Sequence, residues 1–248
     1  MLTGTASVDD LARGAPTIHR WLDEPVELTD VELVQAMFEI AGSSRQAVLP
    51  PALHPTNPPT MVLQAWRCGA SPWGAFAMVH ARVQCRSGLR PRGFVVGAVC
   101  DNSDAAAGLA AGWGFRCATD RRVGLARHYD ETTVDVEGAL RLRCHDPEPL
   151  DPGDLSYSST LNLAHTPNGV RLVQLDASPE LTRAERARPM LEHFDANAWG
   201  SPLLDARHAV SSSIAVGRLT LAPVRYCCRP DTLAFDGTET VGSATPGS

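Results

Sequence analysis

The chain has 248 residues, 44% of them hydrophobic and 20% charged, with a formal net charge of −6 and a pI near 5.7. That length is enough to bury a sizeable core in one large domain or two small ones, and the acidic balance excludes a general nucleic-acid binder. All 22 basic residues are arginine, so only the Met1 α-amine, and no side chain, is able to form a Schiff base. The 19 prolines and 20 glycines are spread along the chain, which favours a β-rich, turn-rich fold over a helical bundle.

In chain order, residues 1–30 read as a polar, loop-like extension around Trp21. Val31–Ala41 supports two readings. Thr29-Asp30-Val31-Glu32 is a capping box ahead of apolar residues at helical spacing, whereas Val34, Ala36, Phe38 and Ile40 alternate as in a strand. A turn is expected from Gly42 to Pro51, then a proline-rich loop, then a strand at Met61–Trp66. Gly74–Cys85 is the clearest strand. Ala75, Ala77, Val79, Ala81 and Val83 form a small apolar face, and Phe76, Met78, His80, Arg82 and Gln84 form a mixed one suited to line a pocket. Phe94–Cys100 reads as a buried strand, and Ser103 as the cap of a short helix Asp104–Ala111.

Further on, Thr133–Val136 and Ala139–Cys144 flank Gly138 as a hairpin. Ser158–Leu163 and Val170–Leu175 flank Asn168-Gly169, whose tolerance of positive φ suits a tight turn. Leu181–Phe194 is rich in Arg and Glu, and is expected to be helical or a surface excursion interrupted at Pro189. Ser211–Tyr226 holds a last long strand, and residues 233–248 read as a flexible tail. Seven cysteines, an odd number without CxxC spacing, read as free thiols. With no leader pattern and no 18-residue apolar run, a cytoplasmic setting without a membrane partner is expected. Metal spacing is missing, Cys227-Cys228 with a distant His208 being a poor tetrahedral set, so no metal and no cofactor are expected.

Two blocks carry a family resemblance. Asn102–Asp120 (NSDAAAGLAAGWGFRCATD) runs from a polar start through a small-residue helix to an aromatic loop. Leu191–Ser213 (LEHFDANAWGSPLLDARHAVSSS) has Leu-x-x-Phe-Asp, a Pro-Leu step and a Val-Ser-Ser-Ser ending. Together, with Leu49-Pro50 as a weaker third match, they resemble the acetoacetate decarboxylase family. The resemblance implies an α+β single domain over residues 31–232, with a large, curved antiparallel sheet closing into a cone or barrel around an internal pocket and few short helices. It also implies the strand reading of Val31–Ile40.

The departures concern the chemistry. Leu109, Ala110 and Ala111 stand where the family has Gly-Arg-Glu, and Met78 lies near the position of the family's strand glutamate. Arg116 takes the place of a proline, and Cys117 and Ala118 that of two adjacent lysines. In the family one lysine attacks the substrate carbonyl while the neighbouring cation lowers its pKa. A thiohemiketal is no substitute for an iminium as an electron sink, so decarboxylation by that route is excluded. Between Glu39 and Asp101 there is no Asp or Glu, yet six arginines occur, which makes the expected pocket wall neutral or basic.

These readings lead to candidate catalytic residues His80, Arg116 and Cys117 and candidate substrate-binding residues Phe76, Met78, Arg82, Trp113 and Phe115. His80 is a candidate general base that a nearby arginine would keep neutral; its plain alternative is a satisfied strand histidine. Arg82 suits a carboxylate or enolate, and Arg116 beside Cys117 suggests an activated thiolate as against an inert buried thiol. The expected function is a cofactor-independent enzyme acting on a small-molecule, polyketide-like enol or carbonyl compound by cyclase, dehydratase or isomerase chemistry. The alternatives are a binder or sensor of a hydrophobic carboxylate, and a structural subunit with a closed pocket. A homo-oligomer is compatible with the sequence.

Overall fold

The computed structural model describes residues 2–241. The N-terminal segment holds α1 (Val8–Ala12), capped by Ser7. It is tied down by Gly4 N–H donating to Leu53 and by a bridge between Thr17 and His165. β1 (Val26–Glu39) puts Val34, Ala36 and Phe38 into one buried cluster and Val31 and Leu33 into another, the period-2 pattern of a strand covered on both faces. α2 (Gly42–Val48) replaces the expected turn after it. Next come β2 (His54–Pro55), β3 (Thr60–Ala70), β4 (Phe76–Ser87) and β5 (Arg90–Cys100).

α3 (Ser103–Trp113) is longer than expected at its C-terminal end, and its cap is Asn102, not Ser103. The Asn102 Oδ1 accepts the amides of Asp104 and Ala105. The helix stops at Gly114, whose φ of 73° lies in the left-handed region that glycine tolerates. β6 (Cys117–Ala118), β7 (Val123–His128), β8 (Glu131–Val136) and β9 (Leu140–Leu150) follow. The expected second hairpin is β10 (Thr160–Thr166) with β11 (Gly169–Leu175), turning at Gly169 with φ 91°.

The Arg/Glu-rich segment expected as a helix or excursion is strand β12 (Ala177–Phe194), hydrogen-bonded to both neighbours. Its Arg183, Arg186 and Arg188 face solvent while Ala184 and Ala187 are buried, so the charges belong to the wet face of an antiparallel sheet. β13 (Ala209–Leu221) is the last long strand, and the short β14 (Tyr226–Cys228) follows it. Part of the expected tail is also structured. α4 (Ala234–Gly237) leads into β15 (Thr238–Thr240), which pairs with β14, and residues 242–248 lie outside the described residues.

The strands form one 15-stranded sheet whose main path runs β15-β14-β11-β10-β5-β4-β3-β1-β13-β12-β9-β8-β7. It is mixed rather than wholly antiparallel, because β10 and β6 each lie parallel to β5. Both are reached from β5 through long excursions, the connection that a parallel pair requires. The path is not closed by hydrogen bonds. Instead the β7 edge packs against β4, and Val123 and Leu125 join Val79, Val83, Phe38, Leu63, Leu142 and Ile214 in one buried core. On the other face, β1, β3, β4, β5, β10, β11 and β13 surround α3 and its Trp113 in a second buried cluster. The candidate site lies within this second layer.

Candidate functional site

β3 and β4 are buried on both sides, so any polar residue on them is withdrawn from water. The strand register lines up Ser213, Gln35, Gln64, His80, Ala98 and Cys117 in one cross-strand row. Directly opposed residues project from the same face of a sheet. An apolar layer is thus crossed by one polar belt.

Arg82, two residues beyond His80 on the same face, is 1% exposed. Its Nη1 donates to the Ser158 carbonyl (3.0 Å) and Thr160 Oγ1 (3.3 Å), and its Nη2 to Gln35 Oε1 (2.7 Å); Nε has no partner. None of these acceptors is a carboxylate. Burial, opposed by the influence of Tyr157 and Cys85, holds its pKa down at about 10, still charged at neutral pH. Gly93 on β5 leaves room for the side chain, since a Cβ there would collide with the arginine stem.

His80 is fully buried, and neither ring nitrogen has a partner. Its ring stands edge-on to Trp66 (centroids 5.5 Å) and to Phe115 (5.6 Å). Burial first, and Arg82 second, push its pKa well below the ordinary value, so it is a neutral imidazole. Trp66 Nε1 is likewise buried without a partner among the described residues. Burial, opposed by the neighbouring Ser213 hydroxyl and by Arg82, raises the Tyr157 pKa, which keeps its hydroxyl protonated. Buried polar groups are normally paired, so this concentration of free donors and acceptors marks the site.

The space beside Arg82 is a cavity of about 20 Å³, with Leu33, Gln64, Trp66, Tyr157 and Thr160 in its wall; His80 is not in that wall. Gln35 faces both this chamber, through its bond to Arg82, and an outer cleft of about 370 Å³ with Ser211, Ser213, Asp154 and Arg186. The connection from β9 to β10 supplies Leu155 to the outer cleft and Tyr157 to the inner chamber.

No family model matches the sequence, and no curated protein is matched by it. Solved structures are matched by shape. The acetoacetate decarboxylase of Legionella pneumophila subsp. pneumophila str. Philadelphia 1 superposes with a TM-score of 0.70 at 21% identity, over 83% of this chain and 89% of that one. The chain has the acetoacetate decarboxylase-like fold. The enduracididine biosynthesis enzyme MppR complexed with pyruvate gives a TM-score of 0.66 at 16% identity, over 82% and 90% of the two chains. An acetoacetate decarboxylase-like enzyme from Sphingomonas wittichii RW1 gives 0.64 at 14% identity, over 82% and 92%.

Within this acetoacetate decarboxylase-like fold, the sequence-predicted site residues separate into three groups. His80, Arg82 and Phe115 lie together in the second layer. Phe76 and Met78 are buried in the same cluster, as is Trp113, whose indole N–H donates to the Ala222 carbonyl (2.8 Å). Arg116 points elsewhere. It is exposed, lines a separate cleft and packs over Gly14.

The expected activation of Cys117 by Arg116 is not what the structure contains. Burial pushes the Cys117 thiol far above its ordinary value, with Cys100 adding to the shift. Arg116, just ahead of β6, is exposed in the separate cleft while the Cys117 thiol is withdrawn from water, which separates the pair despite their adjacency. Gln35, Gln64, Tyr157 and Asn162 were not anticipated. The two glutamines carry a legible signal, each being a lone polar residue in an apolar strand run on the face shared with His80 and Arg82.

Proposed function

We propose that the chain is a small-molecule enzyme of lyase or isomerase type that acts on an enolisable carboxylate or carbonyl compound without a Schiff base. The observation that carries this reading is Arg82, a buried cation with no carboxylate counter-ion among the described residues, bordering a cavity that Tyr157 also lines. A buried charge is costly unless paired. A substrate carboxylate or enolate oxygen supplies that pairing, and the pairing strengthens as negative charge develops on the oxygen. The protonated Tyr157 hydroxyl supplies a proton to the developing oxyanion. Neutral His80 lies one cross-strand position from Gln64 and outside the cavity wall, so it acts as a base in this reading only through an intervening water.

Enolisation of this kind is the common first step of isomerisation, dehydration and carbonyl cyclisation. The match to MppR, an enduracididine biosynthesis enzyme described in complex with pyruvate, supports small oxo-acid substrates and a place in specialised metabolism, by analogy of fold. At about 20 Å³ the chamber as it stands has room for about one water molecule, so this reading requires the segment carrying Tyr157 to move aside for even a small oxo-acid.

The second reading is a binder or sensor of such a carboxylate. It is favoured by one feature, the position of His80 outside the cavity wall. The two are separated by proton NMR of pyruvate and acetoacetate in D₂O with the protein. The enzyme reading expects α-proton exchange above the buffer rate that falls roughly 100-fold or more in Arg82→Met. Binding without exchange in the wild-type chain supports the binder. No binding and no exchange with either acid overturns both.

A further inference from the structure

A second, larger cleft lies apart from the Arg82 chamber. Its volume is about 430 Å³, within the range of roughly 300–1,000 Å³ typical of small-molecule sites. α1 and the segment after it form one side, α2 another, and β5, β10 and residues 200–203 the rest. Leu11, Val48, Val96, Leu163 and Leu203 make the lining largely apolar.

Two polar features break that lining. The first is Arg116, which makes no ion pair and no side-chain hydrogen bond among the described residues, while Asp10 on the same wall is already paired with Arg13. Gly14 leaves room for the guanidinium, which lies where a Cβ at that position would be. The second is Asn162, 2% exposed. Its Nδ2 donates to the Trp113 carbonyl (2.9 Å), which fixes the amide and leaves Oδ1 buried without a donor. A buried acceptor without a partner is costly, and the residue that carries it borders this cleft.

We infer that this cleft is a second small-molecule site, taking a medium-chain aliphatic carboxylate that carries a hydroxyl group. The chain lies along the apolar wall, the carboxylate pairs with Arg116, and the hydroxyl donates to Asn162 Oδ1. Each part of the ligand matches a lining feature that the protein itself leaves unmatched. The site shares no wall residue with the Arg82 chamber, so its occupancy does not depend on the activity proposed above.

The test is calorimetric titration of the full chain with 3-hydroxydecanoate and with decanoate. The hydroxy acid is expected to bind more tightly than decanoate, by about tenfold. Arg116→Met, a change at an exposed position, is expected to weaken both by roughly ten- to a hundredfold. Asn162→Leu is expected to abolish the preference for the hydroxy acid. Ala47→Trp, which fills the cleft, is expected to abolish binding, whereas Arg82→Met leaves it unchanged. No binding of either acid at millimolar concentration overturns the proposal. So does affinity that survives Arg116→Met, or that is lost in Arg82→Met and kept in Arg116→Met.

Discussion

Arg82 on β4 reaches across the whole width of β3 to donate a 2.7 Å hydrogen bond to Gln35 on β1. The bond ties the inner chamber to the outer cleft and gives a buried cation a neutral partner where an ion pair would be expected. The charge is therefore desolvated and solvated again only by dipoles, those of Gln35, Thr160 and the Ser158 carbonyl.

This arrangement makes a prediction about stability in which two terms oppose each other. Arg82→Met removes a desolvated charge, but it leaves the Gln35 Oε1, Thr160 Oγ1 and Ser158 carbonyl acceptors buried without that donor. The variant is expected to be less resistant to urea, by about 1–3 kcal/mol, and to lose affinity for small carboxylates. Urea unfolding followed by fluorescence measures the first, and titration with pyruvate the second. Unchanged affinity for pyruvate in a folded variant would show that Arg82 is a structural keystone and not a ligand anchor.

His80 gives the fold a pH dependence of definite sign. Its folded pKa lies below the ordinary histidine value of 6.5 because of burial and, secondarily, Arg82. As pH falls through 6.5 the unfolded chain takes up a proton that the folded chain refuses, so stability is lost below that point and is fully present above it. One such group contributes a slope of up to about 1.4 kcal/mol per pH unit. His80→Phe keeps the aromatic packing against Trp66 and Phe115 and is expected to flatten the stability profile between pH 6.5 and 5. An unchanged slope in that variant would show that His80 carries its proton in the folded state.

Cys117 is expected to be chemically quiet. Its thiol is pushed up by burial, and the thiolate is the reactive form. Alkylation by iodoacetamide at pH 8, mapped by peptide mass spectrometry, is expected to be at least about tenfold slower at Cys117 than at a free cysteine in a peptide. Rapid modification of Cys117 under native conditions would restore the nucleophile reading.

Much of the fold is legible from local pattern. The alternation in Gly74–Cys85, the Asn168-Gly169 turn and the small-residue helix ended by Gly114 each impose their element through short-range sterics. β12 is not legible in this way, because its charged face resembles that of a helix until its partners β9 and β13 are known. Of the site, the face bearing His80 and Arg82 is readable from the period-2 pattern, and so is the exclusion of lysine chemistry.

By itself the sequence determined what the chain has no side chain to do: without a lysine there is no side-chain imine. It also determined which residues share a face along each strand, since that depends only on backbone geometry. The tertiary structure alone decided which faces meet. It brought Gln35, Tyr157 and Thr160 to Arg82, sent Arg116 and Cys117 apart, and left a chamber of about 20 Å³. The reason is that burial, pairing and cavity size arise from cross-strand register between segments tens of residues apart, and no local period encodes that register.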